Sequence, residues 1–494
     1  MAQYDYVVVG AGSAGCAVAA RLSEYPGTSV LLVEAGPPDK AKEIRIPAAF
    51  SKLFKSKFDW SYETTPQPGL DGRRIFFPRG KTLGGSSALN AQMYLPGHPE
   101  DFADWPEGWS WDEVHPYFER FDEGPGTISV PRDPNPMSRA FLEAVTNLDL
   151  ERVDHAGLVR VTQRKGLRCS AADAYLKPAR GRRNLTVVTD AHVERVELDG
   201  LRAAGVRYGD EVAEASREVI LSAGAIGSPQ ILMLSGIGRP DDLRAHGIEP
   251  LHDLPAVGHN LSDHPMAISL FEASGKDSLY AAEKPIQLLR LLLRRRGLLT
   301  SNVAEAAAFL RTREELTAPD LELIFGPVLY VEEGLVPPPA HGFSIASVAL
   351  QPRSRGRVRL RSANPHDAPH IDPNYLAGPE DLRVLVEGTK IARRIAREGA
   401  LADWFAGERA PGEQDVEAWV RANAHTIYHP VGTCAIGEVV DPELRVKGIQ
   451  GLRVVDASVL PHLNRGHTHA PTTMVAERAA ELIRSAAPER AAIG

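Results

Sequence analysis

The chain has 494 residues, too many for one ordinary core, so two or more domains are expected. With 43% hydrophobic and 24% charged residues it has the balance of a globular enzyme, and a net charge of −8 leaves no basic footprint for nucleic acid. No run of about 18 apolar residues occurs, so no membrane span is predicted, and the three scattered cysteines, Cys16, Cys169 and Cys434, indicate neither a zinc ribbon nor a redox dithiol.

The first predicted strand, Tyr4–Val9, runs directly into Gly10-Ala11-Gly12-Ser13-Ala14-Gly15. A helix-like stretch follows over Cys16–Glu24, then a second strand, Ser29–Val33, ending in Glu34. Gly10 permits the turn out of the strand, Gly12 lets backbone approach a pyrophosphate, and Gly15 lets helix and strand pack closely. The helix N-terminus offers free N–H groups to phosphate. Glu34, nineteen residues beyond Gly15, suits the two hydroxyls of a ribose and would repel a 2′-phosphate, which argues against NADP. A dinucleotide is therefore expected at the amino end. The chain enters this strand almost at once, so no signal peptide and a cytoplasmic location are expected.

Residues 36–80 and 124–136 are rich in proline and read as loops. Strands are predicted at Leu185–Val188, Val193–Leu198 and Val219–Ser222. The last leads through Ala223-Gly224 into a helix over Ser228–Leu234, a second strand–turn–helix unit. Strand candidates then cluster at Ala304–Arg311, Leu321–Phe325, Gly342–Leu350 and Arg357–Arg361, and a basic run, Arg290–Arg296, reads as a solvated helix face, with a membrane or anion contact as the alternative. A strand at Leu452–Val455 and a helix at Thr472–Ile483 should rejoin the first sheet. The expected fold is α/β: a discontinuous Rossmann-like nucleotide domain plus an α+β domain on an antiparallel sheet. The first part covers 1–265, with excursions at 36–80 and 124–165; the sheet domain covers 266–414, and the nucleotide domain resumes over 415–494.

Four blocks give the chain a family resemblance. The first is the opening loop with Glu34. The second runs from Arg79 through Leu83-Gly84-Gly85-Ser86-Ser87-Ala88-Leu89-Asn90. The third runs from Gly224 to Gly238, and the fourth joins Tyr428-His429-Pro430-Val431-Gly432-Thr433 to Val455-Asp456-Ala457 and Gly466-His467-Thr468-His469-Ala470-Pro471-Thr472. In that order they resemble the glucose–methanol–choline family of FAD-dependent oxidoreductases along nearly the whole length.

The resemblance implies FAD, held by Gly10, Gly12, Ser13, Ala14, Gly15, Glu34, Arg79, Leu83, Gly84, Gly85, Ser86, Asn90, Ala91, Val193, Ala223, Gly224, Asp456, Ala457, His469 and Thr472. Relatives that bind FAD covalently use a histidine in the second block. Leu89 stands at that position here, so noncovalent binding is expected. No second Gly-x-Gly-x-x-Gly exists to hold NAD(P)H, so the organic substrate must itself reduce the flavin.

The resemblance also makes His429 the base that removes a hydroxyl proton while hydride passes to flavin N5. A near-neutral imidazole suits that task. His467 would be its partner at the substrate oxygen. Many bacterial relatives have Gly-Asn-Thr-Asn-Ala-Pro-Thr where this chain has Gly466-His467-Thr468-His469-Ala470-Pro471-Thr472, so both asparagines are replaced. His469 is expected beside the flavin ring. His429 and His467 are 38 residues apart, closer than is usual in the family, because a short loop near 435–442 is missing. The cluster of His425, His429, His462, His467 and His469 lacks a supporting acid, so no metal is expected. The loop Gly258–Pro265 reads as a structural interdomain turn.

The expected reaction is oxidation of a primary alcohol to the aldehyde, with a lean toward aromatic or activated alcohols, and with oxygen or another electron acceptor as the second substrate. Choline or aliphatic alcohols are the alternative; a flavin-dependent lyase or decarboxylase is the alternative of another class. A cage for the choline cation would draw on residues such as Glu305, Tyr330 and Trp404.

Overall fold

The structure, a computed structural model, describes residues 2–148 and 153–486. The strand Ala2–Val9 lies at the centre of a seven-stranded sheet. Its apolar run Val7-Val8-Val9 is buried, as a strand covered on both faces requires. Val30–Val33 pairs with it in parallel on one side, and Leu185–Val188 extends that side. On the other side lies the long strand Glu211–Leu221, also parallel. That strand changes partner along its length: its first half pairs antiparallel with Arg202–Tyr208, its last residues parallel with Leu452–Val454. The C-terminal segment thus enters the sheet with Leu221 opposite Val454, and the carboxyl ends of three strands meet. Ser222 N–H donates to Val9 O (2.7 Å) and its hydroxyl to Val455 O (2.8 Å). Ligands of such sheets bind at this edge.

The helix Ser13–Leu22 follows the first turn and packs on the C-terminal helix His469–Ala486. Gly15 makes the packing possible, since a Cβ there would lie 1.8 Å from Gly10 O. The C-terminal helix begins three residues earlier than the apolar pattern predicts, which places His469 in its first turn.

The second sheet is antiparallel, in the order Phe405–Ala410, Pro265–Ala273, Gly342–Ala349, Leu321–Gly326, Ala306–Leu310, Val153–Leu158. The helix Pro379–Ile395 covers one face, and Gly388 is the point of closest approach: a Cβ there would meet Leu321 Cδ1 at 2.7 Å. Alternate residues of the other face, Met266 and Ile268, Ile324 and Gly326, Ser344 and Ala346, line a deep cavity. Two strands join this sheet from outside residues 266–414: Val153–Leu158, within the stretch read as an excursion, and His425–Thr426, which pairs with Pro265–Met266. The predicted strand Arg357–Arg361 is shorter and lies elsewhere: Arg357–Arg359 pairs with His370–Asp372 in a separate ribbon. Residues 36–80 are mainly irregular but contain the helix Lys42–Arg45, the 3₁₀ segment Pro47–Leu53 and the hairpin Tyr62–Glu63 with Phe76–Phe77.

Candidate active site

One cavity joins the carboxyl edge of the parallel sheet to the inner face of the antiparallel one. At one end it is lined by Gly10, Gly12, Ser13, Ala14, Glu34, Val193, Ala223, Gly224, Asp456 and Ala457. Arg79, Gly85, Ser86, Asn90, Ala91, His469 and Thr472 also line it, as do His429 and His467. Three residues expected at the cofactor stand off the wall. Gly15 is spent on helix–strand packing. Gly84 turns at φ +91° against Ser170, its N–H donating to Ala11 O (2.8 Å). Leu83 packs partly buried against the main core.

The phosphate-loop end is made of backbone. Gly85 sits so close to Gly12 that a Cβ on it would lie 2.6 Å from Gly12 Cα. Glu34 ties this loop down: Ala11 N–H donates to Oε2 and Gly36 N–H to Oε1, both at 2.8 Å. Each oxygen keeps a free lone pair for a hydroxyl donor. Burial pushes the Glu34 carboxyl up to about 7, against the lowering effect of these two N–H groups. Asp456 is already saturated: it accepts from Gly224 N–H (2.9 Å), Ser228 Oγ (2.5 Å), and both the N–H (2.8 Å) and hydroxyl (2.5 Å) of Ser458. Its part is to lock the second strand–turn–helix unit to the C-terminal segment. His469 Nδ1 lies 2.9 Å from Ser13 Oγ, and its buried Nε2 has no protein partner among the described residues. Burial, then the nearby Arg168, brings His469 down to about 4, so it is neutral near pH 7.

The histidine end is made of side chains. The rings of His429 and His467 meet edge to face, 4.7 Å between centroids and 82° between planes. His429 follows Tyr428, which is held at φ +70°, a strained conformation for an aromatic residue. Arg79 clamps it: Nη1 donates to Tyr428 O (2.6 Å) while Nη2 donates to Ser86 Oγ (2.7 Å). The His429 N–H donates to buried Asp263 Oδ1 (2.6 Å), and Thr426 and Tyr375 donate their hydroxyls to Asp263 Oδ2. Burial raises Asp263 to about 6 despite these donors.

The side chain of His429 has a defined tautomer. His264 Nε2 lies 3.0 Å from Leu350 O, and a carbonyl only accepts, so that nitrogen carries hydrogen. Burial, then His467, holds His264 down to about 3, so it is neutral and its Nδ1 is a lone pair. His429 Nδ1, 3.0 Å away, must therefore donate, which leaves a lone pair on His429 Nε2. Burial first, then His467, His264 and Arg79, keep His429 well below the usual histidine range and thus uncharged at neutral pH. Behind His467 stands Glu322, fully buried, with Oε1 3.2 Å from His467 Nε2 and Oε2 unpartnered among the described residues.

Reading the sequence alone missed Asp263, His264 and Glu322. The first two lie in the loop taken for a structural turn, where a consecutive Asp-His-Pro was the available signal. Glu322 carried none: it is one acid in an alternating strand. Of the cage candidates only Tyr330 reaches the cavity wall, stacked on Phe50 with centroids 6.4 Å apart. Glu305 is buried elsewhere, accepting from Asn135 N–H and the hydroxyls of Ser138 and Ser301, and Trp404 does not line the cavity. His425 and His462 also stand off the wall.

A glycine cradle for phosphate and a buried histidine pair thus share one cavity. A family model described as GMC oxidoreductase matches residues 4–266, and its C-terminal counterpart matches residues 352–476. The chain is 47% identical to an uncharacterised GMC-type oxidoreductase of Mycobacterium tuberculosis, covering 98% of this chain and 99% of that one. It is 40% identical to an alcohol dehydrogenase [acceptor] of Pseudomonas putida, covering 97% and 95%. Among solved structures it is similar to pyridoxine 4-oxidase from Mesorbium loti, with a TM-score of 0.88, 33% identity, and coverage of 98% and 100%. The chain belongs to the GMC oxidoreductase family; its cofactor is FAD and it acts on alcohol-like or related donors. The site fits that cofactor: the Gly12–Gly85 contact leaves a cradle with no side chain in it, Glu34 has lone pairs for hydroxyls, and His469 Nε2 is a buried polar atom in need of a partner.

Proposed function

We propose that this enzyme oxidises a primary alcohol to the aldehyde, with aromatic or otherwise activated alcohols preferred. The observation that carries this reading is the His429–His467 pair, buried on the wall of the same cavity that holds the phosphate cradle. Noncovalently bound FAD supplies the two-electron acceptor. His429 Nε2 takes the hydroxyl proton, because the Leu350–His264 chain leaves it the free lone pair. His467, oriented by Glu322, stands edge to face beside His429 on the same wall. A second reading, with His467 as the base, is favoured by that same Glu322: a proton on His467 sits against a buried carboxylate, whereas one on His429 sits near Arg79.

The substrate preference rests on the walls. Phe50, Phe54, Tyr330, Tyr428, Val303 and Ile324 line the cavity near the antiparallel sheet. Glu34 and Asp456 are its lining carboxylates among the described residues, and both belong to the nucleotide end. A quaternary cation would lack the acid that accompanies an aromatic cage. The names of the relatives support an alcohol donor without choosing among alcohols, since they include an alcohol dehydrogenase, a pyridoxine oxidase and choline dehydrogenases.

Anaerobic mixing with a panel of benzylic, furanic, aliphatic and choline-type alcohols tests the proposal. Bleaching of the flavin band near about 450 nm is expected, fastest for the aromatic members. Readdition of oxygen or a dye then identifies the acceptor. A flavin that stays oxidised with every alcohol would overturn the reading in favour of a lyase or decarboxylase.

A further inference from the structure

Five large apolar side chains stand exposed on one ten-residue helix, Pro285–Arg294: Ile286 (49%), Leu288 (45%), Leu289 (49%), Leu292 (59%) and Leu293 (74%). Only Gln287 and Leu291 are buried against the body of the protein. At about 100° per residue the five exposed chains fill an arc of roughly 160°, pointing away from that buried stripe. No core or cavity uses them.

The charge carried by the segment itself has one sign. Residues 284–296 contain Lys284, Arg290, Arg294, Arg295 and Arg296 and no acid, on a chain whose net charge is −8. Arg296 pairs with Asp133 at 2.8 Å; Lys284, Arg290, Arg294 and Arg295 are exposed and meet no carboxylate among the described residues. A second copy of the chain is a poor occupant. A two-fold contact would bring the arc against itself and set arginine opposite arginine.

Apolar side chains flanked by arginines match the acyl boundary and phosphates of a lipid surface. No helix among the described residues is long and apolar enough to cross a membrane, and ten residues span only about 15 Å, so this helix would lie in the plane of the interface. We propose that the helix Pro285–Arg294 seats the enzyme on an anionic phospholipid bilayer. The helix packs on Leu298–Thr300, which packs on Pro47–Leu53, the segment that carries the cavity-lining Phe50. Lys52 and Glu283 bridge the same seam at 2.8 Å. The seated face is therefore the one backed by the aromatic wall of the cavity.

The test is flotation of the FAD-loaded full chain with vesicles of phosphatidylcholine, with and without about one-third phosphatidylglycerol. Binding is expected on the anionic vesicles, reduced by salt and weak on the neutral ones. Arg290→Gln, Arg294→Gln and Arg295→Gln together should weaken it about 100-fold, at roughly fivefold per charge. Leu289→Asp with Leu293→Asp should abolish it, and both sets should turn over a soluble alcohol as wild type does. Failure of the wild type to float with anionic vesicles overturns the proposal. So does equal flotation of wild type and variants, or a wild-type dimer, seen by sedimentation velocity, that the leucine variants split without any vesicle binding.

Discussion

At the phosphate-loop end the protein presents backbone: a Cβ on Gly10 would strike Ser222 O and one on Gly85 would strike Gly12 Cα, each at 2.6 Å, and Glu34 holds the turn through two N–H groups. At the histidine end it relies on side chains from four distant segments and one carbonyl, with Leu350 O acting on His264, His264 and Asp263 on His429, and Glu322 on His467. At Gly10, Gly15 and Gly85 the first end has no room for a side chain. The second depends on which nitrogen holds which proton. Binding at one end is thus a matter of shape, and chemistry at the other a matter of buried polar partners, which are costly to leave unmatched.

That contrast can be broken most severely at Gly15. Gly15→Val should yield protein without the flavin absorbance, because even the first carbon of the side chain would strike Gly10 O. Gly27→Ala, with nothing within 4 Å of the new carbon, should keep the full yellow colour. Retention of flavin by the valine variant would show that shape does not govern this end.

At the other end the effect should fall on rate and spare binding. His429→Ala should keep its colour and slow anaerobic flavin reduction by at least about 10²-fold. Reduction at the wild-type rate would remove His429 from the chemistry. For Glu322 the two conservative changes separate orientation from charge. Glu322→Gln keeps an acceptor for His467 Nε2 and should cost about tenfold in the reductive rate, while Glu322→Leu, which keeps none, should cost more. Equal losses would assign Glu322 to charge alone.

The smallest expected effect is on stability. His264 is held at about 3, against 6.5 in the unfolded chain. Between those pH values the unfolded chain binds a proton that the folded one refuses, so this residue's contribution favours unfolding progressively as pH falls through 6.5 toward 3. Asp263 and Glu34, raised to about 6 and about 7, slope the opposite way. The difference between wild type and His264→Gln isolates the histidine: the variant's melting temperature should fall less steeply with acidification over that window. Parallel curves would place a charge on His264 in the folded protein and undo the tautomer assignment.

Much of the fold is legible along the chain. The strand–glycine–helix opening, the acid after the second strand and the alternating strands of the antiparallel sheet are local patterns with local causes. Val153–Leu158 escapes a local reading because a short edge strand with exposed polar residues looks like a loop until its partner Ala306–Leu310 is known. The histidines could be named from the blocks around them. Their partners could not, since Glu322 is 145 residues from His467 and His264 is 165 from His429.

By itself the sequence determined the nucleotide loop, because glycine's missing side chain and the helix N-terminus act within a few residues of each other. It also set six leucine and isoleucine residues, Ile286 to Leu293, beside the basic run Arg290–Arg296. Only the tertiary structure decided that Leu350 dictates, through His264, which nitrogen of His429 is free, and that five of those six side chains face outward while Leu291 is buried. Hydrogen-bond partnership and burial are properties of groups brought together across the fold, and no spacing along the chain encodes them.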